Sequence, residues 1–267
     1  MENAGGFSLY FKEAELPAYS VLADVFAEVY PLSQEEAFHK ARHCWGIVAE
    51  NIDAEQAGRL EESFRRAGLE LLRFESDKMP LPPQPLPAHS LALTNDGFSC
   101  VLDGDAAESC RWNDLEIAAA APVKEELIKK ETHPQGPSLG RAVSILSATT
   151  LGIPLPLGGQ KPAPEREMII REMNYIMDLY FKGRRVRLRS DAMDYSSLGA
   201  EKSYSSQGNF RALACKLEPL ASSALKNKGL KLIAARQPLQ SLSYDSLADF
   251  ERDFRRLFAL LAVAGQG

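Results

Sequence analysis

Five cations fall between positions 182 and 189: Lys182, Arg184, Arg185, Arg187 and Arg189. On a β-strand this spacing sends Arg185, Arg187 and Arg189 to one face and Val186 and Leu188 to the other, because side chains alternate with period two. A row of guanidinium groups can hold an anion, whether a nucleic-acid backbone, an anionic membrane or an acidic protein surface. Tyr175, Tyr180, Phe181 and Tyr195 are close enough in sequence to supply stacking on a base. The competing reading is a solvated strand face, with Asp191 and Asp194 offsetting the arginines rather than forming a catalytic carboxylate pair.

No other set of residues converges on a reaction. His39 and His43 are spaced i, i+4 beside Cys44, which suits a metal, but no Glu lies between them as in HExxH and no third ligand follows. His89 falls in a proline-rich stretch and His133 in an irregular one. Gly158-Gly159 precedes Lys161 without the rest of a phosphate loop, and neither GxSxG nor GxGxxG opening a helix occurs. Catalysis needs a nucleophile, a base and an orienting group together. The expectation is therefore a non-enzyme, with no catalytic, cofactor or metal residues assigned.

The chain has 267 residues, 45% of them apolar and 25% charged, which is enough for two modest domains with true cores. Its net charge of −5 argues against a generally basic nucleic-acid binder. The charge is uneven: residues 1–80 carry −7, residues 81–160 carry −4 and residues 161–267 carry +6. Two parts packing with complementary charge would explain it. Four cysteines without a CxxC pair make no disulfide framework and read as small apolar filler. Met1 to Gly6 lacks a signal-peptide pattern, and the apolar-leaning run from Ala142 to Leu157 is too short and broken for a membrane span of roughly 20 residues. A cytoplasmic protein with no integral membrane segment is expected.

The elements that would carry these residues divide at a proline-rich stretch. In the front part, over 17–76, Tyr19 to Phe26 reads as a strand. Ser33 with Glu36 forms a capping box opening a helix stopped by Gly46. Gly46 to Ile52 is a second strand, Asp53 with Gln56 caps a second helix ending at Gly68, and Leu69 to Phe74 is a third strand. The order β-α-β-α-β predicts a small α/β sandwich. Pro80, Pro82, Pro83, Pro85 and Pro87 make 77–90 a stiff linker, with PxxP spacing as its other reading. Behind it, Asn95-Asp96-Gly97 and Asp103-Gly104-Asp105 are turns between short strands. Lys182-Gly183 turns a hairpin, and a capped helix runs from Ser205 or Ser206 to Pro219. Leu247, Phe250, Phe254, Leu257, Phe258 and Leu261 stripe a last helix within 236–267, expected to pack on the back part.

From Glu36 to Phe74 the chain resembles the C-terminal domain of the bacterial acidic ribosomal stalk protein. The matching features are Glu36-Ala37, then Glu50, Ile52 and Asp53, then Ala67-Gly68. That family recruits translation factors through lysines, and the matching positions here are Glu35, Phe38 and Ala49. The resemblance thus implies the fold without the recruitment. Residues 90–220, with Trp112-Asn113-Asp114-Leu115 after an Asp-Gly turn, weakly resemble bacterial pleckstrin-homology-like domains. That implies a barrel of antiparallel strands plugged by a helix, here interrupted at 132–165. The lipid-binding members carry basic first loops, where this chain has Asn95-Asp96-Gly97 and Asp103-Gly104-Asp105, so lipid binding is not implied.

Together these readings predict an α+β protein: a β-α-β-α-β sandwich, the linker, a mostly antiparallel β-barrel over 91–235 and a C-terminal helix. The function expected is that of an adaptor or assembly protein acting on a protein partner, with no cofactor. Anion or nucleic-acid binding through Lys182 to Arg189 is the alternative, and an enzyme with an unrecognised site the second. Neither the partner nor the oligomeric state follows from the sequence.

Overall fold

The computed structural model describes residues 6–13, 15–131, 166–237 and 244–264, with the backbone alone at 126–131 and 166–171. The expected insertion at 132–165, with His133 and Gly158 to Lys161, lies outside the described residues. Met1–Glu125 and Met173–Gly267 make one compact unit, and Glu126–Glu172, holding the outer ends of two strands, makes a second. The protein is α+β.

The first unit begins with a three-stranded sheet in the order β2-β1-β3, formed by β1 (Phe7–Phe11), β2 (Ile47–Ile52) and β3 (Leu71–Glu75). Its central strand is Phe7–Phe11, which the sequence reading passed over. Tyr19–Val29, read as containing a strand, is instead helix α1, with Leu22, Ala23, Val25 and Phe26 buried. Those positions recur at the three- and four-residue spacing of a helix. An apolar run this short is ambiguous, and only a partner decides it. Pairing on both edges of Phe7–Phe11 leaves no place for a strand at 19–26. Helices α2 (Gln34–His43) and α3 (Ala54–Arg66) start at the expected caps. The Ser33–Glu36 box is made in both directions, and the Asp53 side chain accepts from the Gln56 N–H at 2.8 Å. Leu9 and Phe11 face these helices, whereas Tyr10 faces the other way.

The larger sheet has seven strands in the order β10-β7-β8-β9-β4-β5-β6. They are β4 (Leu86–Leu93), β5 (Gly97–Leu102), β6 (Ala107–Arg111), β7 (Leu115–Glu131), β8 (Arg166–Phe181), β9 (Arg184–Arg189) and β10 (Leu225–Lys226). The expected barrel is absent: β10 and β6 end an open sheet. Closure fails because the sheet has apolar residues on both faces and covers both with helices, as open sheets do. Part of the expected linker joins in, since β4 starts at Leu86 and pairs in parallel with β9. The turns at Asn95-Asp96-Gly97, Asp103-Gly104-Asp105 and Lys182-Gly183 form as read.

One face of this sheet packs on α4 (Ser206–Leu220) and α5 (Lys228–Ala234), through Met177, Leu179, Val186 and Leu188 against Phe210, Leu213, Leu217 and Leu230. The alternate residues Ile117, Ala119, Ala121 and Ile176 meet Phe250, Phe254 and Leu257 of the last helix, α6 (Leu247–Ala264). This helix was expected to pack on the back part, and it does so. It lies against both sheets, because its Ala259 packs with Tyr10 and Ile47 of the smaller one. A helix with two apolar sides needs two surfaces to cover them. Arg252 and Arg255 add ion pairs to Glu50 on the small sheet.

The turn that lets the smaller sheet approach α6 is Trp45-Gly46, where both residues have left-handed backbone, with φ of 47° and 79°. A Cβ at Gly46 would run into the Arg256 side chain, whereas nothing crowds one at Gly68, whose φ is 74°. Left-handed backbone alone costs a residue with a Cβ about 1–2 kcal/mol. Gly68→Ala should therefore lose about 1 kcal/mol and Gly46→Ala at least about twice as much, compared by urea denaturation. Equal losses would mean that the turn does not press on Arg256.

Candidate functional site

The arginine strand is charge-balanced from within. Lys182 and Gly183 have φ of 50° and 73°, the two left-handed residues of a tight hairpin turn, and this sets Arg187 opposite Asp178. Asp178 is fully buried and Arg185 is 2% exposed. Arg185 Nε donates to Asp178 Oδ2 at 2.8 Å, and Arg187 donates Nε to Oδ1 at 2.8 Å and Nη2 to Oδ2 at 2.6 Å. From α6, Glu251 accepts from Arg185 Nη1 at 2.7 Å and Arg187 Nη2 at 2.5 Å. The Arg185 guanidinium also lies 3.8 Å from the centre of the Phe254 ring, and that of Arg187 is 5.7 Å from Phe250.

Arg189 is held in fork geometry by Glu125, with both contacts at 2.7 Å, and by Asp191 at 3.1 Å. Arg184 pairs with Glu108, and Lys182 lies 4.0 Å from Asp114. All five candidate cations thus have a carboxylate of their own chain, and the strand fixes α6 to the large sheet. Asp178 and Glu251 were missed in sequence. An acid amid the apolar residues of Asn174 to Phe181 was the available signal for the first.

A second polar cluster lies between α6 and the Trp45-Gly46 turn. Asp253, 3% exposed, accepts from Tyr244 Oη at 2.6 Å and Asn227 Nδ2 at 3.3 Å on Oδ2, and from Arg256 Nη2 at 3.2 Å on Oδ1. Asn227 Oδ1 accepts from the backbone N–H groups of Ala120 and Leu230, at 3.0 and 2.9 Å. Arg256 Nη1 donates to the Glu13 carbonyl at 2.9 Å. Burial, then the Asp253 charge, pushes the Tyr244 hydroxyl well above its ordinary range, so it stays a donor. The Trp45 ring stacks on Tyr244 with centres 4.1 Å apart. Its indole N–H is buried and has no acceptor among the described residues. Trp45, Tyr244, Asp253 and Arg256 line a cavity of about 50 Å³ together with Tyr19 and Lys228. None of these residues was singled out as functional in sequence, because they come from four separate stretches.

A larger cleft, about 490 Å³, opens at the C-terminal end of α6. Leu72, Leu115, Leu225, Leu260, Leu261 and Val263 give it an apolar lining, with Lys12 and Glu116 as its charged members. Glu116 is half-buried, and burial raises its carboxyl pKa. No cation pairs with it among the described residues. The histidine pair makes no such site. The rings of His39 and His43 are 4.4 Å apart, and His43 faces Asp245, which also pairs with Lys124. Among the described residues no group of three His, Cys, Asp or Glu side chains is placed to hold a metal. None of their helices is long and apolar enough to cross a membrane.

No protein-family model, curated protein or solved structure matches the chain.

Removing one member of the buried pair leaves an uncompensated charge, so Asp178→Asn should cost about 3–5 kcal/mol by urea denaturation. Combining it with Arg185→Met should recover most of that loss. If the double variant is no better than the single one, the pair is not what the strand depends on. A second expectation concerns pH. Burial opposes ionisation of Glu251, but Arg185 and Arg187 outweigh it and hold its carboxyl below the ordinary value of 4.5. Its share of stability is therefore complete above 4.5 and is lost as the pH falls through the lower folded-state value. Glu251→Gln should flatten that acid limb in urea midpoints measured across it.

Proposed function

We propose that the protein is a non-catalytic docking module whose apolar cleft receives a basic, amphipathic segment of a partner protein. The observation that carries this reading is Glu116, a half-buried carboxylate beside an apolar groove that no cation pairs with among the described residues. A carboxylate in such surroundings is stabilised by an incoming Lys or Arg. Leu260, Leu261, Val263 and Ala264 belong to the last turn of α6, whose carbonyl end also favours positive charge. At about 490 Å³ the cleft suits two or three apolar side chains of a docked helix or strand. The overall charge of −5 supports a basic partner.

The arginine strand has no part in this function, since carboxylates of the same chain already meet its charge. In this reading the protein is an adaptor or assembly factor of the cytoplasm, its α+β scaffold holding the cleft open between the two sheets and α6.

Panning a displayed library of random peptides against the full chain tests the proposal. Enriched peptides should carry apolar residues at helical spacing flanking a Lys or Arg. Glu116→Gln should weaken them at least about tenfold, roughly 1.4 kcal/mol. Leu261→Glu should abolish binding with the circular dichroism spectrum retained. Failure to enrich any peptide, or binding that neither substitution affects, would overturn it.

A further inference from the structure

We propose that residues 79–86 are a docking segment for a partner domain whose surface carries a groove of aromatic rings, as SH3 domains do. Local chemistry sets the conformation first. Every residue from Met79 to Pro87 is a proline or stands immediately before one. A proline ring holds φ at about −65°, and the residue ahead of a proline is kept extended. The two rules together favour polyproline II, with about three residues to a turn.

Exposure follows the same period. Residues three apart share an edge of such a helix. Leu81 and Gln84 form an exposed edge, continued by Pro87, whereas Pro82 with Pro85 and Pro80 with Pro83 are half-buried. Leu81 is 70% exposed. Both ends of the segment are tied down. Tyr10 Oη donates to Met79 Sδ at 2.7 Å, and Met79 packs beside Tyr10, Ile47 and Ala259. At Leu86 the chain enters β4 and pairs with β9. Between those anchors, no hydrogen bond among the described residues reaches 80–85. Four of those six residues are prolines without an N–H, so the segment offers mostly carbonyl acceptors.

These features define the partner. Leu81-Pro82 and Gln84-Pro85 are two X-Pro dipeptides one turn apart, and each makes a ridge that fits between neighbouring aromatic rings. Indole or phenol donors bordering such a groove can bond the open carbonyls. No residue from Met79 to Ala88 is charged, so recognition rests on ring contacts and hydrogen bonds rather than on ion pairs. The anchors hold the segment extended before binding, and little ordering entropy is lost when it docks. None of these residues lines the apolar cleft, so the segment does not depend on what docks there.

The probe is a panel of purified, isotope-labelled SH3 domains, each titrated with the unlabelled full chain and followed by nuclear magnetic resonance. At least one domain should show saturable shifts confined to its aromatic groove. Leu81→Ala, at an exposed position, should weaken binding about tenfold, and Pro82→Ala combined with Pro85→Ala should abolish it, with circular dichroism spectra unchanged. Raising salt from about 50 to about 500 mM should change the affinity less than about twofold. The proposal is overturned if no domain of the panel binds saturably or if the shifts fall outside the groove. It is equally overturned if Leu81→Ala binds as tightly as the unaltered chain, or if the affinity collapses in salt.

Discussion

Two buried arginines, Arg185 on the large sheet and Arg256 on the C-terminal helix, impose the strictest condition on this fold. A guanidinium withdrawn from water costs several kcal/mol unless a carboxylate and further acceptors meet it. Asp178 and Glu251 do this for Arg185, and Asp253 with the Glu13 carbonyl does it for Arg256. Glu251, Asp253 and Arg256 all belong to α6. The helix therefore cannot slide or rotate without breaking the Glu251 pairs to the large sheet, the Arg252 and Arg255 pairs to Glu50 on the small one, and the Arg256 hydrogen bond to the Glu13 carbonyl. Apolar contacts supply the bulk of the attraction, and the charges determine where along the helix it applies.

From that fixed helix the rest follows by layers. Phe250, Phe254 and Leu257 cover one face of the seven-stranded sheet, whose other face is covered by α4 and α5. Tyr10, Ile47 and Ala259 join the helix to the smaller sheet, which carries α1 to α3 on its far side. Both cavities are by-products of this arrangement. One forms where the Trp45-Gly46 turn meets Arg256. The other forms where the helix runs out beyond the edge strand β10. Neither could exist in the smaller sheet or the larger one alone.

The complementary charge anticipated between an acidic front and a basic back is realised through different residues from those that stand out. Arg252 and Arg255, set off the apolar stripe of α6, reach Glu50. The conspicuous run from Lys182 to Arg189 is met by Asp114, Glu108, Asp178, Glu251, Glu125 and Asp191. A charge run tells how much compensation is required, but says nothing about which acids the chain will fold beside it.

Local chemistry was legible in the residues themselves. The caps at Ser33 and Asp53, the Asn95-Asp96-Gly97 and Lys182-Gly183 turns, the alternation of β9 and the stripe of α6 each follow from neighbours within a few positions. These features depend on backbone geometry and short-range periodicity, which sequence carries directly. Tertiary structure decided the rest. It made Tyr19–Val29 a helix, because Phe7–Phe11 already filled the centre of the small sheet. It kept the large sheet open by covering both faces. It gathered Tyr19, Trp45, Lys228, Tyr244, Asp253 and Arg256 around one cavity. Those residues are brought together by the packing of α6, and contacts over more than two hundred positions leave no periodic trace along the chain.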